Sequence, residues 1–169
     1  EDHILKEGDI VSLDAGLIYK GYHSDAARTH CVGKVSPEAE KLIAVTKQSF
    51  FEGIKNAKAG NHLYDISNAI DAYVSSYGYG IVTALVGHGI GTKLHEEPQI
   101  PNFAQRRRGV RLQPGMTLAI EPMINMGTAE VEWLDDDWTV VTADGAYSAH
   151  YENTVLITDG EPEILTLPM

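Results

Sequence analysis

The sequence predicts an α+β domain in which two helices pack against one face of a mainly antiparallel sheet. Three observations carry this expectation. Two strand-like runs near the start are joined by a tight turn, two amphipathic helical stretches follow, and after Gly80 the chain breaks into short apolar runs punctuated by glycine and proline. The 169 residues, 43% of them hydrophobic, suit one unit with a core of its own and are few for two. Residues 1–169 therefore read as a single domain.

Residues 9–18 and 22–32 read as the strands of a β-hairpin turning around Tyr19-Lys20-Gly21. Ser36-Pro37-Glu38 then supplies a helix N-cap, a proline at the first helical position and an early acid. Leu42, Ile43, Val45, Phe50 and Ile54 recur at helical spacing behind it, and Gly60 is expected to end the helix. A second helix is expected over residues 63–77, with Ile66, Ile70, Tyr73 and Val74 on one face and Gly78 and Gly80 as its stop. Strands are expected over residues 81–86, 117–124, 138–142 and 151–158, with a closing strand at 163–165.

The formal net charge of −11 opposes binding to DNA or to any phosphate backbone over most of the surface. A basic patch could arise only locally, at Arg106, Arg107, Arg108 and Arg111, which otherwise read as a solvated loop. No run of about 18 apolar residues occurs, and the polar start Glu1-Asp2-His3 lacks the form of a secretory signal, so neither membrane insertion nor export is expected. Cys31, the single cysteine, excludes an intramolecular disulfide and a thiolate zinc cage; a reducing, cytoplasmic setting is expected.

Asp14 interrupts a strand that otherwise reads Ile10, Val11, Leu13, Ala15 and Leu17, where a lone carboxylate is costly to bury. Asp25 lies in the next strand. If Tyr19-Lys20 form the two-residue loop, the two aspartates fall directly opposite each other, a repulsive arrangement unless a cation lies between them. A differently registered hairpin with both aspartates solvated explains these two residues as well. Glu121 and Glu152 repeat the pattern in later apolar runs, and apart from Arg28 these strands supply almost no cation to pair with. A shared site for hard cations accounts for all four carboxylates together. His88, within Gly87-His88-Gly89-Ile90-Gly91, adds an imidazole where the glycines let backbone approach a ligand; alone, such a histidine is as readily structural. His95, in Leu94-His95-Glu96-Glu97-Pro98, is a candidate donor to a developing oxyanion or an ordinary partly exposed histidine. No HExxH helix, Gly-x-Ser-x-Gly elbow, P-loop or dinucleotide fingerprint is present.

Taken with Gly8-Asp9-Ile10-Val11, Gly21-Tyr22-His23-Ser24-Asp25, Pro114-Gly115-Met116, Glu121-Pro122-Met123 and Ser148-Ala149-His150-Tyr151-Glu152, these segments resemble the bacterial, type I methionine aminopeptidases of the pita-bread metallopeptidase superfamily, across essentially the whole chain. The resemblance implies a curved, mainly antiparallel sheet with helices on its outer face. It also implies two divalent metal ions (Mn, Fe, Co or Zn) held by Asp14, Asp25, His88, Glu121 and Glu152. Asp25 and Glu152 would bridge, Asp14 would complete one site, and His88 with Glu121 the other. Glu121 would also act as general base, His95 would bind the scissile carbonyl, and Trp138 and Leu94 would line the methionine pocket. Leu94 stands where some members carry phenylalanine. The activity implied is removal of the initiator methionine from nascent polypeptides whose second residue is small.

The 25 residues between His95 and Glu121 leave no room for the helical insertion of the type II enzymes. The alternatives are a proline-specific, prolidase-like aminopeptidase and a non-catalytic binding module of the same fold, though such modules typically lack ligands that this chain retains. Members usually begin with a further helix and strands ending in a Cys-His-Gly-Ile-Pro segment. Here the first pseudo-symmetric half is expected to be incomplete, with a separate N-terminal piece of the same enzyme as one implied partner. The ribosome, met through the arginine loop, is another.

Overall fold

The computed structural model describes residues 4–167; the polar start Glu1-Asp2-His3 lies outside them. Strands β1 (Ile10–Tyr19) and β2 (Tyr22–Cys31) form the expected hairpin, but its loop is Lys20-Gly21. Both loop residues take positive φ, 50° and 84°, as a type I′ turn requires, and glycine meets that demand at no steric cost whereas Tyr19 would be strained. The register therefore shifts from the expected one: Asp14 pairs with Ala27 and Asp25 with Gly16. Because the shift is by two residues, the aspartates remain on one face as diagonal neighbours.

Helix α1 (Pro37–Ile54) begins as expected, with the Ser36 hydroxyl accepting from the Ala39 amide at 3.2 Å. It ends six residues before Gly60, which instead shapes the connection to the second helix and donates its amide to the Leu112 carbonyl. Helix α2 (Leu63–Ser75) opens with the Asp65 carboxylate accepting from the His62 amide at 2.9 Å. The helices meet through Leu42, Phe50, Ile66 and Ile70, all fully buried, and pack on Ile120, Ile124, Val155 and Ile157 of the sheets.

The remaining strands are β3 (Gly80–Ile81), β4 (Gly87–Gly89), β5 (Glu96–Ile100), β6 (Thr117–Ile120), β7 (Met123–Asn125), β8 (Val131–Trp133), β9 (Val140–Thr142), β10 (Ser148–His150), β11 (Asn153–Leu156) and β12 (Glu163–Ile164). One sheet runs β12-β11-β6-β4-β5 and another β10-β7-β3, with β8-β9 a separate hairpin; every pairing among the described residues is antiparallel. The expected α+β class is the observed one.

Two of the expected strands do not run through their glutamates. The run 117–124 breaks at Glu121-Pro122, because Pro122 has no amide to donate, and its halves enter different sheets. The run 151–158 is shortened to β11, with Glu152 in the gap that separates it from β10. Both glutamates thus occupy strand breaks rather than strand interiors, a correction that frees their side chains to turn toward the hairpin.

Candidate metal centre

Hydrogen bonds across the molecule bring the hairpin to the sheets. The Asp25 amide donates to the Thr154 hydroxyl at 2.9 Å, and that hydroxyl donates to the Asp25 carbonyl at 3.0 Å. The Glu152 amide donates to the Ala27 carbonyl at 3.0 Å. Arg28 completes the clamp: its guanidinium donates to the Glu152 carbonyl and, at 2.6 Å, to the Asn153 side-chain oxygen, while stacking over Tyr151. These contacts set Asp25 and Glu152 side by side.

His88 enters from β4. Its ring Nδ1 donates to the Gly89 carbonyl at 2.8 Å, which fixes the tautomer and leaves the Nε2 lone pair facing the acids. Nε2 lies 3.5 Å from Glu121 Oε1 and 4.0 Å from Asp25 Oδ2. One ligand atom each from Asp25, His88 and Glu152 falls within 4.8 Å of the others. Glu121 adjoins this group, its carbonyl accepting from the Asn102 side-chain Nδ2 at 3.1 Å. Asp14, more exposed, borders the same cleft of about 1030 Å³, which His88, His95, Glu121, Met123 and His150 also line. The glycines beside His88 serve packing rather than the ligand approach expected of them. A Cβ at Gly87 would stand 2.4 Å from the Ala119 carbonyl oxygen of β6, and one at Gly89 2.3 Å from that of Glu97 in β5.

The electrostatics of this cluster favour a cation. Burial, then the charges of Asp14 and Asp25, push the Glu121 carboxyl up to about 8. Burial, then Glu121, Asp25 and Asp14, push Glu152 up to about 10, with Arg28 the opposing influence. Asp25 is raised by burial and by Asp14, and burial lowers His88. Glu152 Oε1 is buried without a hydrogen-bond partner, a costly state for a carboxylate oxygen. An oxygen-rich set with one oriented imidazole and an orphaned carboxylate oxygen fits divalent metal ions, whose charge would offset the crowded acids.

The other expected site residues lie at the margins. His95 is exposed on the cleft wall, its ring 4.4 Å centroid to centroid from that of His88. Leu94 reaches over β1, its Cδ1 3.6 Å from where a Cβ on Gly16 would stand. Trp138 lies in the turn between β8 and β9, 86% exposed, and does not border the cleft. Sequence reasoning overlooked Arg28 and Thr154 as clamps and His150 as a lining residue. Arg28 carried a signal, as the one cation among the acid-bearing strands.

Comparison with known proteins agrees with this geometry. Residues 1–159 match the metallopeptidase family M24. A methionine aminopeptidase of Clostridium perfringens is 60% identical over 96% of this chain, and one of Clostridium acetobutylicum is 57% identical over 97%; the chain spans 66% of the length of each. The crystal structure of a methionine aminopeptidase from Thermotoga maritima superposes with a TM-score of 0.95 at 46% identity, covering 98% of this chain and 66% of that one. The fold is accordingly the pita-bread fold of such structures, and the chain belongs to metallopeptidase family M24.

Proposed function

We propose that this chain is the catalytic part of a methionine aminopeptidase, a single domain that removes the initiator methionine from nascent polypeptides with a small second residue. The observation that carries the reading is the His88 imidazole, its Nδ1 tied to Gly89 and its Nε2 turned toward Asp25 and Glu121, in a cleft open to solvent. The strong likeness to methionine aminopeptidases of other organisms supports the substrate.

Asp14, Asp25, His88, Glu121 and Glu152 would hold two divalent ions; Mn, Fe, Co and Zn all suit such a donor set. Those ions would supply an activated water at neutral pH and a Lewis acid for the scissile carbonyl. Glu121 would serve as the proton carrier between the attacking water and the departing amine. His95, on the cleft wall, donates to the oxygen that gains negative charge. Leu94, which reaches over β1, is assigned to the methionine side chain, whereas Trp138 lies outside the cleft and makes no such contact.

A separate piece of the same enzyme is the proposed partner along the outer edge of β1, supported by the exposure of Leu13 and Leu17 and by the absence of a second neighbour strand among the described residues. Ribosome contact through the exposed Arg106, Arg107, Arg108 and Arg111 is proposed on their charge alone, and unchanged co-sedimentation after replacing the first three with serine would rule it out. The exposed thiol of Cys31 suits a reducing cytoplasm.

The test is methionine release from a Met-Gly-Ser peptide by the chain loaded with Mn or Co, beside Ala-Pro and a His88→Ala variant. Metal-dependent release from the first peptide alone, abolished by the substitution, is expected. Preferential hydrolysis of Ala-Pro would overturn the substrate assignment.

A further inference from the structure

His150 closes β10 opposite Met123 of β7 and is held there by its backbone. Its amide donates to the Thr29 hydroxyl at 2.8 Å, that hydroxyl donates to the His150 carbonyl at 2.9 Å, and Ser12 Oγ stands 2.8 Å from Thr29 Oγ1 as a further partner. Two strands of the hairpin thus fix the residue, yet its ring Nε2 is buried without a hydrogen-bond partner. A buried nitrogen in that state is costly and calls for a use. Beside it stands the Glu121 carboxylate, whose Oε2 lies 3.6 Å away. The other oxygen of that carboxylate, Oε1, lies 3.5 Å from His88 Nε2. Glu121 therefore stands between two imidazoles, one oxygen toward each, and a small rotation of its side chain brings Oε2 within hydrogen-bond reach of His150.

We propose that His150 is a positioning residue that donates its Nε2 hydrogen to Glu121 Oε2, fixing the carboxylate so that Oε1 points beside His88 into the metal centre. The inference rests on the metal centre proposed above. A donor behind a ligating carboxylate holds its orientation without touching the ion, and loss of such a partner typically weakens metal binding 10–100-fold. The two imidazoles then have separate tasks. His88 offers a lone pair to the ion, and His150 offers a hydrogen to the acid.

The test is a calorimetric titration of Co²⁺ into the 169-residue chain and its H150A and H150Q variants, with the cobalt absorption spectrum recorded at saturation. We expect H150A to bind cobalt about tenfold more weakly with an altered spectrum, and H150Q, whose amide can donate from a similar position, to recover the affinity to within about threefold. Should H150A fold poorly, His150→Leu fills the space without a donor and is read in its place. Equal affinity and spectrum in H150A and the unsubstituted chain would overturn the inference. So would failure of H150Q to recover binding, or loss of a full equivalent of cobalt in H150A, which would make His150 a ligand itself. No binding by the unsubstituted chain would bring down the metal centre first, and the role of His150 with it.

Discussion

Arg28 lies beside this acid cluster, yet its guanidinium reaches across the molecule to the Glu152 carbonyl and the Asn153 side-chain oxygen rather than to a carboxylate. Replacing it with alanine leaves both acceptors inside the protein without a charged donor. A loss of about 3 kcal/mol is expected, read as a lowered denaturant midpoint, and lysine should recover less than half because it lacks the planar fork. A midpoint within experimental error of the unsubstituted chain would remove Arg28 from this role. The acids themselves give a pH signature in the metal-free protein. Glu121 and Glu152 keep their protons when folded up to about 8 and about 10, whereas the denatured chain loses them near 4.5. Their contribution to stability is fully present below 4.5 and is lost as pH climbs through those folded values. His88 and His150, lowered from 6.5, act in the opposite sense, weakening the fold at acid pH, so the interval from about pH 7 to 9 isolates the glutamates. The melting temperature of EDTA-treated protein should fall across that interval, and saturating Co²⁺ should abolish the fall; a flat profile without metal would contradict the clustering. The four acids among the ligand candidates were legible in the sequence as carboxylates out of place among apolar neighbours, and His88 as an imidazole bracketed by glycines. The supporting groups were not, because a threonine or an arginine in a strand carries no mark of the partner that folding brings to it.

At the level of the elements, the helices were read more faithfully than the strands. Ser36, Pro37 and the recurring apolar positions of α1 act over a few neighbouring residues, so their meaning is local. The short strands depend on partners distant in sequence. Strands β4, β5, β8 and β10 escaped notice because three- and five-residue segments such as Glu-Glu-Pro-Gln-Ile hold no clear alternation. The hairpin register turned on one local fact, that Gly21 accepts positive φ more readily than Tyr19. The helix pair also has a point of close approach that sequence alone does not disclose. A Cβ on Gly53 of α1 would stand 2.7 Å from Ile70 Cγ1 and 2.9 Å from its Cδ1. Alanine at position 53 gains about 1 kcal/mol of helix propensity but overfills a packed contact, at a cost of typically 1–3 kcal/mol. We expect Gly53→Ala to be destabilising by about 1 kcal/mol in thermal or urea unfolding, and Gly53→Ala combined with Ile70→Val to lie closer to the unsubstituted chain. A stabilised single variant would mean that Ile70 moves aside without strain.

Across the whole molecule, the acidic surplus and the uneven cover of the sheet act together. The net charge of −11 disfavours association between copies, and four of the acids responsible are gathered in the cleft, where bound divalent ions would offset them. Strand β1 works in the opposite direction. It pairs only with β2 among the described residues, and Leu13 and Leu17 are 58% and 60% exposed. Alternation along the strand puts these two leucines on the face opposite Asp14, so the exposed apolar stripe and the metal centre occupy different sides of the hairpin. An open edge with an apolar face is a template for pairing with another chain. In the absence of a covering segment, the isolated 169-residue chain should therefore associate through β1, with a sedimentation coefficient that rises with protein concentration and rises further at high salt as the charge is screened. The double substitution Leu13→Lys and Leu17→Lys should return it to a monomer while leaving the Co²⁺ titration unchanged, since neither side chain faces the acids. A chain already monomeric at high concentration would show that β1 is protected by other means. Association that persists in the double variant would direct attention to a different surface.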